Sequence, residues 1–104
     1  MSHRHLLAAA AIALAAGPAL AQGSFRQDAR DAAQEARIRQ GEASGSLTPM
    51  EAMKLQRGHD RIRREERLAH ADGRMTPRER AHIRAMQDRE DAAISRMKRD
   101  GEVR

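Results

Sequence analysis

The chain has 104 residues, carries 20 Lys and Arg against 15 Asp and Glu for a net charge of +5, and has no cysteine. Disulfide scaffolds and cysteine-based catalysis are therefore excluded, and the fold has to rely on its core. Aromatic residues make up 1% of the chain, which argues against a protein that binds nucleic acid by base stacking.

The first residues have the pattern of a signal peptide. A short basic segment precedes an apolar run over residues 6–16, and Ala19 and Ala21 fit the small-x-small rule of a signal peptidase site. We predict that residues 1–21 are cleaved and that residues 22–104 form a single small helical domain. The apolar run is too short for a permanent anchor, so no transmembrane segment is predicted in the mature chain. The expected location is periplasmic or secreted.

Small residues recur at three- and four-residue spacing at the start of the mature chain. This pattern predicts an amphipathic first helix that packs through one narrow stripe. Alanine side chains bury little area, so we expect this helix to be the least firmly held. The stripe comprises Phe25, Ala29, Ala32, Ala33 and Ala36.

A helix stop followed at once by a helix start occurs twice, 28 residues apart. In each copy a glycine can adopt the left-handed conformation that ends a helix, and a Thr-Pro pair starts the next one. The threonine hydroxyl accepts from free N–H groups, and the glutamate three residues later reaches back to the threonine N–H in a capping box. The predicted caps are Thr48 and Glu51 in the first copy and Thr76 and Glu79 in the second.

These boundaries predict an all-α fold of three helices. The second helix should run from Pro49 to about His70, and the third from Pro77 to about Arg99, with Gly101 ending it. The short link between them makes these two helices an antiparallel hairpin. No segment alternates apolar and polar residues as a strand would.

The core that these helices can build is small. On the second helix Leu55, Ile62 and Ala69 are spaced by seven, but His59 and Glu66 take the alternate positions of the seam. A mature chain with so few large apolar side chains gains from extra burial, and we therefore predict a homodimer; binding to a client or a membrane would satisfy the same need. Its interface is expected on the third-helix stripe of Ile83, Met86, Ala93, Ile94 and Met97.

The turn before the third helix resembles the second half of an EF-hand calcium loop. Asp72, Gly73 and Glu79 match loop positions 5, 6 and 12. Positions 1 and 3 fall on Leu68 and His70, where calcium needs oxygen ligands. A capped helix turn explains the same residues, and a degenerate EF-hand-like protein is the alternative interpretation.

A different metal site is predicted around the same turn. Imidazole and carboxylate groups are ligands for Zn or Cu, and folding of the hairpin can bring four of them together. Their spacing matches no known ligand set, so the alternative is that each is a solvated side chain near a helix end. The four candidate ligands are His70, Asp72, Glu79 and His82.

The second helix is rich in arginine. Such a face can bind anionic lipid or an acidic protein, but acidic neighbours on the same helix also allow an ordinary solvated surface. The export signal and the shortage of aromatic residues argue against nucleic acid as a partner. The arginines are Arg57, Arg61, Arg63, Arg64 and Arg67.

Both helix starts resemble the LTxxQ motif. Residues 47–51 read LTPME and residues 75–79 read MTPRE, with Glu where the motif has Gln. Members of that family are small periplasmic all-α stress proteins, among them ATP-independent chaperones and metal-responsive sensors. The resemblance implies a chaperone-like or metal-sensing role for this chain.

No grouping of side chains indicates catalysis. The chain lacks a recognisable catalytic triad, a cysteine nucleophile and a phosphate-binding loop, so we expect neither an enzyme nor a cofactor. The function that we predict is that of a stress/chaperone-like or adaptor protein, which binds an unfolded client or an anionic surface. The alternatives are a metal-binding sensor or degenerate EF-hand-like protein, and a passive binder of anionic surfaces.

Overall fold

The computed structural model describes residues 25–104, which are helical apart from two turns and the C-terminus. Within this part, helix α1 covers residues 25–44, α2 covers Pro49–His70 and α3 covers Pro77–Glu102. The predicted all-α fold of three helices, with α2 and α3 as a hairpin, is confirmed. The predicted signal peptide, residues 1–21, lies outside the described residues. Of the described helices, none is long and apolar enough to cross a membrane.

Both turns start the next helix with a capping box. The hydroxyl of Thr48 accepts a hydrogen bond from the Glu51 backbone N–H at 3.1 Å, and the Glu51 carboxylate accepts one from the Thr48 N–H at 2.9 Å. Thr76 and Glu79 repeat this arrangement at 3.1 and 2.8 Å. These four bonds satisfy N–H groups that have no partner within the helix, and they fix where α2 and α3 begin.

Three glycines determine how the turns meet the helices. Gly45 and Gly73 have φ angles of +83° and +91°, in the left-handed region that strains a residue with a Cβ. Gly101 does not end α3 as expected, because the helix continues to Glu102. A Cβ at Gly101 would lie 1.7 Å from the carbonyl oxygen of Ser46, so this glycine lets the first turn approach α3.

Each helix presents one seam, in which buried positions alternate between spacings of three and four. The 28-residue repeat equals four heptads, which places Leu55 and Ile83 at equivalent buried positions. His59 and Gln87 are equivalent in the same way. The seam positions are residues 31, 34, 38 and 41 in α1, residues 52, 55, 59, 62, 66 and 69 in α2, and residues 83, 87, 90 and 94 in α3.

Two apolar clusters hold the bundle together. All three helices contribute to the first cluster, which lies beside the first half of α2. The second cluster is formed by the second half of α2, by α3 and by the turn between them. The first cluster consists of Ile38, Leu47, Ala52, Leu55 and Ile94, and the second of Ile62, Ala69, Met75 and Ile83.

Helix α1 packs through a polar face, and the predicted alanine stripe lies outside. Phe25 is 73% exposed, and the four alanines of that stripe are exposed as well. The buried positions are Asp31, Gln34, Ile38 and Gly41. The prediction of the packing face is wrong, because alanine offers little area to bury and polar bonds to the other helices orient α1.

The apolar stripe of α3 is used inside the bundle. Ile83 and Ile94 are 1% and 0% exposed, and Met86, Ala93 and Met97 pack partly buried against the two clusters. This stripe is therefore not an outer surface, and the predicted position of the dimer interface is wrong. Homodimerisation itself stays a prediction.

Candidate functional site

A band of polar side chains is buried between the helices, alongside the apolar clusters. Each member is at most 9% exposed. Burying polar groups is costly unless they are hydrogen-bonded, so such a band in a small core marks a candidate site. The polar band consists of Asp31, Gln34, His59, Glu66, Gln87 and Glu90.

Amide side chains join α1 to α3 across the polar band. Gln34 donates from Nε2 to the backbone carbonyl of Gln87 at 3.0 Å and to the Asp91 carboxylate at 2.8 Å. Gln87 returns a bond of 3.0 Å from its own Nε2 to Oδ1 of Asp31. Because these contacts are directional, they fix the rotation of α1 about its axis and turn its polar face inward.

Charged side chains extend this network to the surface. Asp91 accepts two bonds from Arg30, at 2.7 and 3.0 Å, and pairs with Arg37 at 3.5 Å. Arg30 also pairs with Asp88, and Arg37 donates to the hydroxyl of Ser95 at 2.7 Å. Since these side chains are partly exposed, each pair contributes modestly, but together they attach α1 to α3.

Three carboxyl groups form a carboxyl cluster where α1 packs on α2. Asp28, Asp31 and Glu66 each place one oxygen within 4.8 Å of the others. Asp31 is 1% exposed and Glu66 is 6% exposed, whereas Asp28 lies at the surface. Oδ2 of Asp31 and Oε1 of Glu66 have no hydrogen-bond partner among the described residues.

The surroundings of Glu66 favour its protonated form. Burial and then the adjacent Asp31 carboxyl raise the pKa of Glu66 to about 8, against a smaller opposing effect of Arg63. The two acids are close enough for the Glu66 hydroxyl to donate a hydrogen bond to the Asp31 carboxylate. Such a pair can hold either a shared proton or a cation.

A cavity of about 320 Å³ opens onto the carboxyl cluster. It is lined by Asp28 and Glu66 together with Arg63, Arg67 and His70. His70 follows Glu66 by about one helical turn, so an imidazole lies beside the acids. The two guanidinium groups offset part of the negative charge that the cluster carries when ionised.

Glu90 is a second buried acid, between α2 and α3. Its carboxyl lies against Gly58, where an added Cβ would be 2.5 Å from Oε1 of Glu90. Burial raises the pKa of Glu90 to about 7, with Asp91 adding to the effect and Arg61 opposing it. A glycine in a helix interior costs stability, and here it makes room for a buried acid.

The outer face of α2 combines arginine with exposed apolar side chains. Met50, Met53 and Leu68 are 65%, 46% and 60% exposed. The five arginines singled out in the sequence are all exposed as well, and none has an acidic partner within 4.0 Å in the described part of the chain. They are Arg57, Arg61, Arg63, Arg64 and Arg67.

The four predicted ligands, His70, Asp72, Glu79 and His82, are not gathered at one place. Glu79 and His82 line a cavity of about 450 Å³ between α2 and α3, whereas His70 lines the cavity beside the carboxyl cluster. The Glu79 carboxylate accepts the N–H of Thr76, which lowers the pKa of Glu79. Within residues 25–104, no three of the four bring donor atoms within 4.8 Å of one another. A metal site made of this set stays a prediction.

Sequence reasoning missed the carboxyl cluster. Two signals were available, since Glu66 occupies a seam position of α2, and Asp28 precedes Asp31 by three residues on one helix face. What the sequence did not show is which face of α1 meets α2. The alanine stripe predicted that the opposite side of that helix is the packing face.

Comparison with known proteins adds no relative, because no protein-family model, curated protein or solved structure matches this chain. The resemblances to the LTxxQ family and to the EF-hand loop therefore stay predictions. The function has to be inferred from the chain's own surfaces and buried groups.

Proposed function

We propose that this protein is a non-catalytic adaptor or chaperone-like protein that binds unfolded acidic segments of other proteins through the outer face of α2. The supporting observation is that Met50, Met53 and Leu68 share one exposed helix face with five arginines. Met50 and Met53 lie about one turn apart, and Leu68 lies about four turns further along the same face. The face therefore offers apolar contacts spaced among charges along its length, which suits an extended segment. With the predicted export signal, the place of action is the periplasm or the exterior.

The two kinds of side chain on this face have different roles. Arginine pairs with carboxylates through two parallel hydrogen bonds, and its charge attracts an acidic segment before contact. Methionine is unbranched and polarizable, so it packs against apolar side chains of varied shape. A client that exposes both acidic and apolar residues would therefore be held, while a folded protein with a buried core would not.

The test measures how well residues 22–104 suppress the aggregation of an acidic client protein, followed by light scattering. Replacing Arg57 and Arg64 with Gln should remove most of the suppression of aggregation. Added salt should also reduce the suppression by the unmodified protein, because it screens the arginine charges. The matched control replaces Arg89 and Arg96 of α3, which are exposed but have no large exposed apolar neighbours on that helix. Equal losses in the two variants would contradict the proposal.

Passive binding to anionic surfaces is the alternative that uses the same arginines. It does not need Met53 or Leu68, whereas client binding does. Replacing both with Gln should abolish aggregation suppression and leave binding to anionic phospholipid vesicles unchanged. A variant that still protects the client as well as the unmodified protein would favour the passive alternative.

A further inference from the structure

We propose that Asp28, Asp31 and Glu66 bind one divalent cation of the class that prefers oxygen ligands. One carboxylate oxygen from each residue lies within 4.8 Å of the other two. Oxygens on opposite sides of a divalent cation are separated by twice the cation–oxygen distance of about 2.0–2.6 Å. Separations of up to 4.8 Å therefore match oxygens on one ion whose cation–oxygen distance is in the upper part of this range.

The buried members of the cluster supply an observation that acidity alone would not. Oδ2 of Asp31 and Oε1 of Glu66 are buried and lack a hydrogen-bond partner among the described residues. When no proton is shared between the two acids, a buried oxygen without a partner is costly, and both atoms belong to side chains that are more than nine-tenths buried. Coordination to a cation satisfies both oxygens at once.

The site also has an entrance. Asp28 is exposed, and the cavity of about 320 Å³ is lined by Asp28 and Glu66, so a hydrated ion can reach the cluster from solvent. His70 on the same cavity wall offers an imidazole beside the carboxylates. Carboxylate and water ligands suit Mg²⁺, Ca²⁺ and Mn²⁺, and Mn²⁺ is the probe that reports its own binding.

The cation site is independent of the outer face of α2. None of its three ligands belongs to the arginine and apolar surface, although Arg63 and Arg67 of that surface also line the cavity. Arg57 and Arg64 lie outside the cavity lining, so replacing these two should reduce client binding and leave cation binding intact. The site differs from the predicted set of His70, Asp72, Glu79 and His82, because its ligands join α1 to α2, whereas the predicted set lies around the α2–α3 turn.

The experiment titrates residues 22–104 with Mn²⁺ alone and follows the free ion by electron paramagnetic resonance. The unmodified protein should retain one Mn²⁺ per chain and unfold at a higher temperature when Mn²⁺ is present. Glu66→Gln should retain none, because an amide is a poor ligand. Gln has the shape of a protonated Glu and can still donate to Asp31, so this variant is expected to stay folded.

Two further variants keep the outcome decisive. Glu65→Gln removes the same charge from the neighbouring position, outside the cluster, and should retain one Mn²⁺. Asp28→Asn alters an exposed residue, so folding is preserved, and it should weaken binding on the order of tenfold or more. The proposal is overturned if the unmodified protein retains no Mn²⁺, which would leave a shared proton as the only occupant of the pair. Retention by Glu66→Gln equal to that of the unmodified protein would overturn it as well.

Discussion

The apolar clusters and the polar band join the same helices by different means. The clusters exclude water without directional bonds, and among the described residues of α1 only Ile38 belongs to them. The polar band supplies directional bonds such as that from Gln34 to the Gln87 carbonyl, and it contains acids with raised pKa values. The comparison indicates that the clusters stabilise the α2–α3 hairpin, whereas the band orients α1. Because the band contains acids with raised pKa values, we expect it to make the stability of the bundle depend on pH.

The largest effect is expected from removing volume in a cluster. Ile94 is 0% exposed in the first cluster, and Ile94→Ala should lower the free energy of unfolding by about 3–4 kcal/mol through lost burial and a remaining cavity. Urea unfolding monitored by circular dichroism measures the loss. Met53→Ala, on the exposed side of α2, should change the same quantity by less than about 0.5 kcal/mol. Similar losses in both variants would mean that the first cluster does not hold the bundle.

Two glycines test how tightly each region is packed. Gly101→Ala places a Cβ against the carbonyl oxygen of Ser46, which is backbone and cannot move alone, so a loss of about 2–3 kcal/mol is expected. Gly58→Ala meets the end of the flexible Glu90 side chain instead, and the gain in helix propensity offsets part of the cost. We expect Gly58→Ala to change the free energy of unfolding by no more than about 1 kcal/mol. A larger loss for Gly58→Ala than for Gly101→Ala would show that the band is the more rigidly packed region.

The polar band should make stability depend on pH. The pKa of Glu90 is about 7 in the folded chain, above its ordinary value of 4.5, so the folded state binds this proton more tightly than the unfolded state does. The stabilisation is complete below pH 4.5 and is lost as the pH rises through 7, by on the order of 2 kcal/mol between pH 5 and pH 8. The raised pKa of Glu66 changes stability in the same direction, with a stabilisation at low pH that is lost as the pH rises.

Urea unfolding at several pH values measures this dependence. Glu90→Gln keeps the size of the side chain and removes its titration, so the profile of this variant should be flatter than that of the unmodified protein. Ile94→Ala alters an apolar cluster and should lower the free energy of unfolding at every pH by a similar amount. Parallel profiles for Glu90→Gln and the unmodified protein would assign the pH dependence to other groups.

The smallest effect is expected at a helix cap, outside both the clusters and the band. Thr76→Ala removes the hydroxyl that accepts from the Glu79 N–H and should cost about 1 kcal/mol. Thr76→Ser keeps a hydroxyl at the same position and should retain most of the stability that Thr76→Ala loses. An unchanged melting temperature for Thr76→Ala would show that this hydroxyl does not stabilise the start of α3.

The helix starts were predictable because the residues and hydrogen bonds that form them are close together in the sequence. Gly, Thr, Pro and Glu stand within seven residues of one another in each copy, and the bonds between Thr48 and Glu51 need no other part of the chain. The end of α3 was less predictable. Glycine is a residue type that often ends helices, but Gly101 lies inside α3, where the lack of a side chain lets Ser46 pack against the helix. That contact joins segments that are distant in the sequence.

The candidate site was harder to predict for a related reason. His59 and Glu66 occupy seam positions that look like interruptions of an apolar stripe, and only the packed bundle shows that both side chains are buried. Asp31 gave no signal of burial, because a polar residue on a charged helix is usually solvated.

The sequence by itself determined the all-α class, the starts of α2 and α3 and the hairpin between them, since capping and heptad spacing act over a few residues. The tertiary structure decided which face of α1 is buried, because that choice depends on bonds from Gln34 and Arg30 to residues more than 50 positions away. It also decided that Asp28, Asp31 and Glu66 meet. Three acids on two helices repel one another when ionised, and only packing, with a shared proton or a bound cation, holds them together.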